Sequence, residues 1–490
     1  MRRFVRGSRW ALALALAGSM AAASGAAAQA GPTVVDPHLA VRTAVDGLTT
    51  PISLAFLGAD DMLVLEKDTG RVKRVVDGTV EGTVLDLAVN FASERGLLGI
   101  ALHPRFAANG FVYLYWTESM TGADSGALAE VPLLGNRVDR FHWDGSALTF
   151  DRNLIRLRAF QADADQPLRG NHDGGVLRFG PDGKLYAVIG DNGRRGQLQN
   201  LADGPFGPGI PDDQFGGPAP DDAHLTGAIL RLNDDGTTPP DNPFFAAGAA
   251  IGGEAGANIQ KLYAYGLRNS FGMAFDPLSG DLWEQENGDD SFSELNRVEP
   301  GFNSGWVQIM GPPERIGQFK AIETTMTPDP PDPFAASYFG LQQVRWPPTN
   351  IADTPAAALG RLFALPGSHY SAPEMSWKFE VAPAGIAFLD SGALGSQYRG
   401  DLFVAAARPF LEGGHIFRLN LSGNRRKIGV DDPRLQDRVA DNLHKWEITE
   451  SESLLFGSNF GVGTDVQAGP DGNLYVVSLT NGAVYEIQRG

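Results

Sequence analysis

Three short stretches combine side chains able to carry protons or charge with the glycines that expose them. His172 stands in Gly170-Asn171-His172-Asp173-Gly174-Gly175, a glycine-flanked loop just before a strand, which presents a side chain at a mouth instead of burying it. An imidazole there suits a general base, because its unperturbed pKa lies near neutrality. Asp191 closes Val188-Ile189-Gly190-Asp191 at the end of a strand aimed at the same mouth, and Asn192-Gly193 after it also fits an Asx turn. Arg268-Asn269 follow a strand running from Lys261 to Gly266. The run from Glu284 to Glu294 gathers Glu284, Glu286, Asp289, Asp290 and Glu294 around Gly288. Such a run is either a solvated loop or a calcium site, since calcium takes oxygen ligands from carboxylates and backbone carbonyls alike. With no cysteine in the chain, thiol chemistry and disulfide bracing are both excluded.

The elements that must carry these residues show themselves through one recurring phrase: a turn rich in Gly, Pro, Asp or Asn, then a short alternating strand. It reads Asn109-Gly110-Phe111-Val112-Tyr113, Gly180-Pro181-Asp182-Gly183-Lys184-Leu185-Tyr186, Asp276-Pro277-Leu278-Ser279-Gly280-Asp281-Leu282-Trp283 and Gly469-Pro470-Asp471-Gly472-Asn473-Leu474-Tyr475. Looser copies surround Asp60-Asp61 and Gly400-Asp401. Asp-Gly and Asn-Gly supply the positive φ of a tight hairpin, and the alternation turns one face inward. Six copies predict an all-β chain folded as a six-bladed β-propeller with four-stranded antiparallel blades. No long helical periodicity interrupts the pattern. Residues 201–224 and 311–371, rich in Pro, Gly and Asp, read as long loops.

Residues 1–30 are expected to be a signal peptide: Arg2, Arg3, Arg6 and Arg9 precede an Ala/Leu-rich stretch that ends in Ala28-Gln29-Ala30. Its apolar part is too short to span a bilayer. A single domain over residues 31–490 is then expected in the periplasm or outside the cell, without membrane insertion. The whole chain carries a formal net charge of −18, a field that repels nucleic acid.

Glu94-Arg95-Gly96-Leu97-Leu98-Gly99, Asn171-His172-Asp173-Gly174-Gly175, Ile189-Gly190-Asp191, Gly266-Leu267-Arg268-Asn269, Glu294-Leu295-Asn296 with Asn303-Ser304-Gly305-Trp306, and Trp377 ahead of Ala382-Pro383-Ala384-Gly385 occur in this order. Together they resemble the glucose/sorbosone dehydrogenase family. The resemblance implies a quinoprotein that oxidises the C1 hydroxyl of an aldose to the lactone, using pyrroloquinoline quinone (PQQ) and calcium and passing electrons to a diffusible acceptor. It implies His172 as general base, Asp191 orienting it, Arg268 polarising the reduced quinone oxygens and Asn269 contacting the cofactor. By the same resemblance the backbone carbonyls of Gly288 and Asp289 hold the calcium, Trp377 lines the planar quinone and sugar, and Arg408 stands where the family has a lysine on a cofactor carboxylate.

Three departures accompany it. The stretch Phe460 to Val466 lacks the Arg-x-Arg pair that the family carries before the last Asp-Val, leaving Arg195, Arg408 and Thr464 as candidates to hold the cofactor's carboxylates. Glu94 replaces a family glutamine beside Arg95, and Asp289 replaces a proline. These departures keep a second reading open: a calcium-stabilised propeller that binds a glycan or a protein without redox activity.

Overall fold

In the computed structural model the described residues are 31–160, 170–193, 225–324, 351–407 and 413–490. The expected signal peptide, the loop 201–224 and the candidate residues Arg195 and Arg408 lie outside them, Arg408 by a single position. A compact unit extends from Pro32 to Gly490.

Strands dominate, and each turn phrase does make a hairpin. Leu185–Ile189 follows the Asp182-Gly183 turn and pairs antiparallel with Leu177–Phe179. Leu474–Ser478 follows Asp471-Gly472 and pairs with Gly463–Ala468. The innermost strands Pro51–Gly58, Leu97–Leu102, Leu177–Phe179, Gly272–Phe275, Pro383–Phe388 and Gly463–Ala468 each pack on the next, and the last returns to the first, closing an all-β propeller ring. The closing sheet joins both ends of the unit, since Leu39–Val45 pairs antiparallel with Ala483–Arg489.

The regular array of six four-stranded antiparallel blades expected from the repeats is not what the structure shows. Among the described residues only three sheets are four-stranded. Phe302–Asn303 and His369–Tyr370 add parallel strands outside Leu262–Tyr265, Val439–Ala440 adds one outside Met375–Phe379, and Thr33–Val34 with Ile428–Gly429 extend another sheet. The cause is the set of long connections, which send two-residue strands back to cover edge N–H and C=O groups. Two residues leave no period to read. Residues 311–371, expected as irregular loop, also carry the helix Ile316–Thr324, whose Ile316 and Phe319 are buried with Phe292, Trp306 and Ile351.

The core lies between sheets. Leu63, Leu65 and Val72 meet Leu97, Val112 and Leu114 in one such layer, and Trp283, Trp377 and Phe417 share another. Neighbouring inner strands approach closely enough to demand glycine: a Cβ on Gly272 would lie 2.1 Å from the carbonyl oxygen of Ala384.

Candidate active site

Leu185–Ile189 and Leu262–Tyr265 flank Ala228–Leu232 in one sheet, each antiparallel to it. Their C-terminal ends therefore emerge on the same side, and Asp191 and Arg268 follow them. His172 joins them because its loop leads into Leu177–Phe179, which runs antiparallel to Leu185–Ile189. The three loops are locked at the backbone. The Asp191 N–H donates to the Arg268 carbonyl at 2.8 Å, and a Cβ on Gly190 would sit 2.6 Å from the His172 carbonyl and 2.7 Å from that of Arg268. No other residue fits there without prising the loops apart.

The side chains converge in turn. His172, only 3% exposed and held at φ 60°, places its Nδ1 2.5 Å from Asp191 Oδ1. The same oxygen accepts the Gly193 N–H at 2.8 Å, so Asp191 makes its Asx turn and holds the imidazole at once. The other oxygen, Oδ2, accepts the Trp306 Nε1–H at 3.0 Å. The His172 N–H donates to the Glu94 carboxylate. With Nδ1–H engaged by a carboxylate, Nε2 carries the lone pair that takes a proton. Arg268 lies beside this pair, with Cζ 5.5 Å from the Trp306 ring centroid. Its Nη1 donates to the carbonyls of Asn287 (2.9 Å) and Gly288 (2.7 Å), and its Nη2 to Asp289 Oδ1 (2.8 Å). Burial opposes its charge, and the surrounding carboxylates, Asp289 first and then Asp191, Glu380 and Glu323, together more than offset that.

The acid-rich run is not a solvated loop. Glu284, Glu286 and Glu294 are buried, and Asn296 Nδ2 bridges Glu284 and Glu294 at 2.8 and 3.0 Å. Burial pushes the Glu284 carboxyl up to about 8 and that of Glu294 up to about 7. Asp289 and Asp290 meet Glu323 of the helix Ile316–Thr324, with ligand atoms of all three within 4.8 Å of one another. Burial, then repulsion from Asp289 and Asp290, raises Glu323 to about 8. Lys445 enters from a distant loop, its Nζ donating to the Asp289 carbonyl (3.0 Å) and to Asp290 Oδ1 (2.9 Å) and pairing with Glu380 Oε2 (2.8 Å).

A profile of the family described as Glucose / Sorbosone dehydrogenase matches residues 48–336, more than half of the chain. The chain belongs to the glucose/sorbosone dehydrogenase family. Quinoprotein glucose dehydrogenase B of Acinetobacter calcoaceticus is 28% identical over 280 residues, covering 55% of this family member and 52% of that protein, so the match spans about half the length of that relative. Aldose sugar dehydrogenase YliI of Escherichia coli is 25% identical over 442 residues, 89% of each chain. Among solved structures, a putative oxidoreductase (glucose dehydrogenase) from Thermus thermophilus superimposes with a TM-score of 0.57 at 27% identity, over 92% of this chain and 99% of that one.

The remaining expected residues of this family member separate into three groups. Asn269 belongs to the cluster: it is buried, its carbonyl accepts the Asn287 N–H at 2.8 Å, and its Oδ1 has no hydrogen-bond partner among the described residues. Arg268 Nε is likewise buried without one. Trp377 is fully buried, 5.4 Å from Phe417 by ring centroids. The Thr464 hydroxyl donates to the Val477 carbonyl at 3.4 Å. Arg95 directs its hydrogen bonds to Asn90 and the carbonyls of Ala159 and Gly170, and the Glu94 charge favours its own. Trp306, Glu323 and Lys445 escaped the sequence reading. Trp306 had a signal in its Asn-Ser-Gly-Trp phrase, whereas Glu323 and Lys445 reach the site only through tertiary contacts.

Proposed function

We propose that this protein is a soluble sugar dehydrogenase that uses PQQ, oxidises the C1 hydroxyl of an aldose to the lactone, and works in the periplasm or outside the cell. The observation that carries the reading is the 2.5 Å pair of His172 and Asp191, interlocked through backbone with Arg268. It is supported by family membership and by relatives named as a quinoprotein glucose dehydrogenase and an aldose sugar dehydrogenase.

Asp191 fixes the imidazole tautomer, and His172 Nε2 takes the proton of the sugar hydroxyl while the C1 hydrogen departs with its electron pair. PQQ, when bound, supplies the two-electron acceptor for that hydride. The buried Arg268 Nε and Asn269 Oδ1, both without partners among the described residues, fit a ligand that offers an acceptor and a donor beside His172. Arg268 is a fixed positive charge where negative charge develops, and such preorganised groups stabilise charge without reorganising during the reaction. Arg195, Arg408 and Thr464 are the further candidates for the cofactor's carboxylates, with Glu94 and Trp377 retained from the family pattern as cofactor contacts. A diffusible acceptor then takes the electrons onward.

The test is to titrate the purified protein with PQQ and follow dye reduction across an aldose panel. Saturable cofactor binding and aldose-dependent reduction are expected. Absence of binding at micromolar PQQ leaves the glycan- or protein-binding reading in its place. His172→Ala is expected to lower turnover by about 10²- to 10⁴-fold while PQQ still binds; unchanged turnover removes His172 as the base.

A further inference from the structure

The family resemblance places calcium on the carbonyl oxygens of Gly288 and Asp289. In this chain both oxygens already serve cations of the protein itself. The Gly288 carbonyl accepts Arg268 Nη1 at 2.7 Å, and the Asp289 carbonyl accepts Lys445 Nζ at 3.0 Å. The lysine is held on two further sides, by Asp290 Oδ1 at 2.9 Å and Glu380 Oε2 at 2.8 Å. An ammonium has three N–H donors, and three oxygens surround this one. Its side chain is 12% exposed.

Calcium needs six to eight oxygens at about 2.3–2.6 Å. An ion on these two carbonyls would share each oxygen with a guanidinium or an ammonium, at a depth where like charges are poorly screened. The donor set therefore does not fit calcium while Lys445 is in place. Asp289 bears on the same point: where the family has proline, this chain has a carboxylate that pairs with Arg268 Nη2 at 2.8 Å. An acid and a lysine meet at this loop, and each is satisfied by protein groups.

We propose that Lys445 stands in for calcium in this chain, its ammonium occupying the cation position between the Asp289 carbonyl, Asp290 and Glu380, so that a protein cation holds the loop without a metal. The consequence for PQQ affinity rests on the function proposed above; the identity of the cation does not.

The structure supplies a local reporter. Lys445 Nζ lies 5.3 Å from the Trp446 ring centroid, so a terbium ion in its place would be excited through that indole. Terbium emission is measured for the wild type, Lys445→Arg and Lys445→Met, each with and without Trp446→Phe to isolate the local signal. Wild type and Lys445→Arg are expected to show no Trp446-dependent emission. Lys445→Met, which leaves Asp290 and Glu380 without their ammonium, is expected to gain about one calcium-displaceable ion per chain. Saturable, calcium-displaceable and Trp446-dependent emission in the wild type overturns the proposal. So does a Lys445→Met protein that keeps its circular dichroism and melting transition yet gains no ion. Should that variant not fold, the wild-type measurement still decides. In parallel, PQQ binding to chelator-treated wild type is expected to agree within about twofold with and without added calcium, and a tenfold loss in chelator contradicts the proposal. If PQQ binds in neither condition, the functional reading fails while the terbium result stands.

Discussion

Asp191 has to do two things with two oxygens. Oδ1 receives the imidazole Nδ1–H and the Gly193 N–H, and Oδ2 receives the Trp306 indole N–H. The carboxylate is thus aimed from both sides, which makes the orientation of His172 depend on a residue 115 positions away from Asp191. Asp191→Asn keeps the shape but allows the wrong imidazole tautomer, and turnover is expected to fall by about 10²-fold or more in the dye-reduction assay. Trp306→Phe keeps an aromatic face near Arg268 but removes the N–H together with part of the buried ring. Its kcat is expected to fall by about tenfold, the kinetic equivalent of about 1.4 kcal/mol for one hydrogen bond to a charged group. His172, Asp191 and Arg268 were legible because each sits in a glycine-bearing phrase at the end of a strand. The place of Trp377 was not legible, because a tryptophan that stacks on a ligand and one that fills a core are the same letter.

The inner strands are tied to one another across sheet boundaries by Asp465. One oxygen accepts Arg178 Nη2 from Leu177–Phe179 at 2.9 Å, and the other accepts Ser53 Oγ from Pro51–Gly58 at 2.6 Å and Gln467 Nε2 at 2.7 Å. A single carboxylate in Gly463–Ala468 thus links strands of three sheets. Asp465→Ala leaves the arginine and the amide without their acceptor and is expected to cost about 3 kcal/mol, read as a lower urea midpoint. The hairpins were legible in the sequence because a positive-φ turn demands glycine or asparagine. The added edge strands and the helix Ile316–Thr324 were not: the former are too short to show alternation, and the latter lies in a stretch whose prolines and glycines dominate its composition.

Across the molecule, burial favours the neutral acid form of several carboxyls. Burial raises Asp173 to about 7, Glu284 to about 8, Glu294 to about 7 and Glu323 to about 8. In the unfolded chain these groups ionise near pH 4. From about pH 4 to 8 the native state therefore holds more protons than the unfolded state, and stability falls as pH rises through that window, levelling above it. The net charge of −18 acts in the same direction, since protonation relieves self-repulsion. Asp173→Asn removes one of these groups. It is expected to make the decline between about pH 4 and 7 shallower by up to about 1.4 kcal/mol per pH unit, measured by urea unfolding at a series of pH values. An unaltered slope would show that Asp173 is ionised in the native protein.

Local chemistry was enough to establish an all-β chain of repeated hairpins, the glycine-lined loops that bear His172, Asp191 and Arg268, and the family to which they belong. Turn conformation and strand alternation are properties of neighbouring residues, so they can be read along the chain. Tertiary structure decided which sheets recruit extra strands, that the acidic run is buried, and that Lys445 reaches the carbonyl of Asp289 from 156 positions away. Those outcomes depend on which distant groups share a low-dielectric interior, where an unpaired charge is too costly to leave alone.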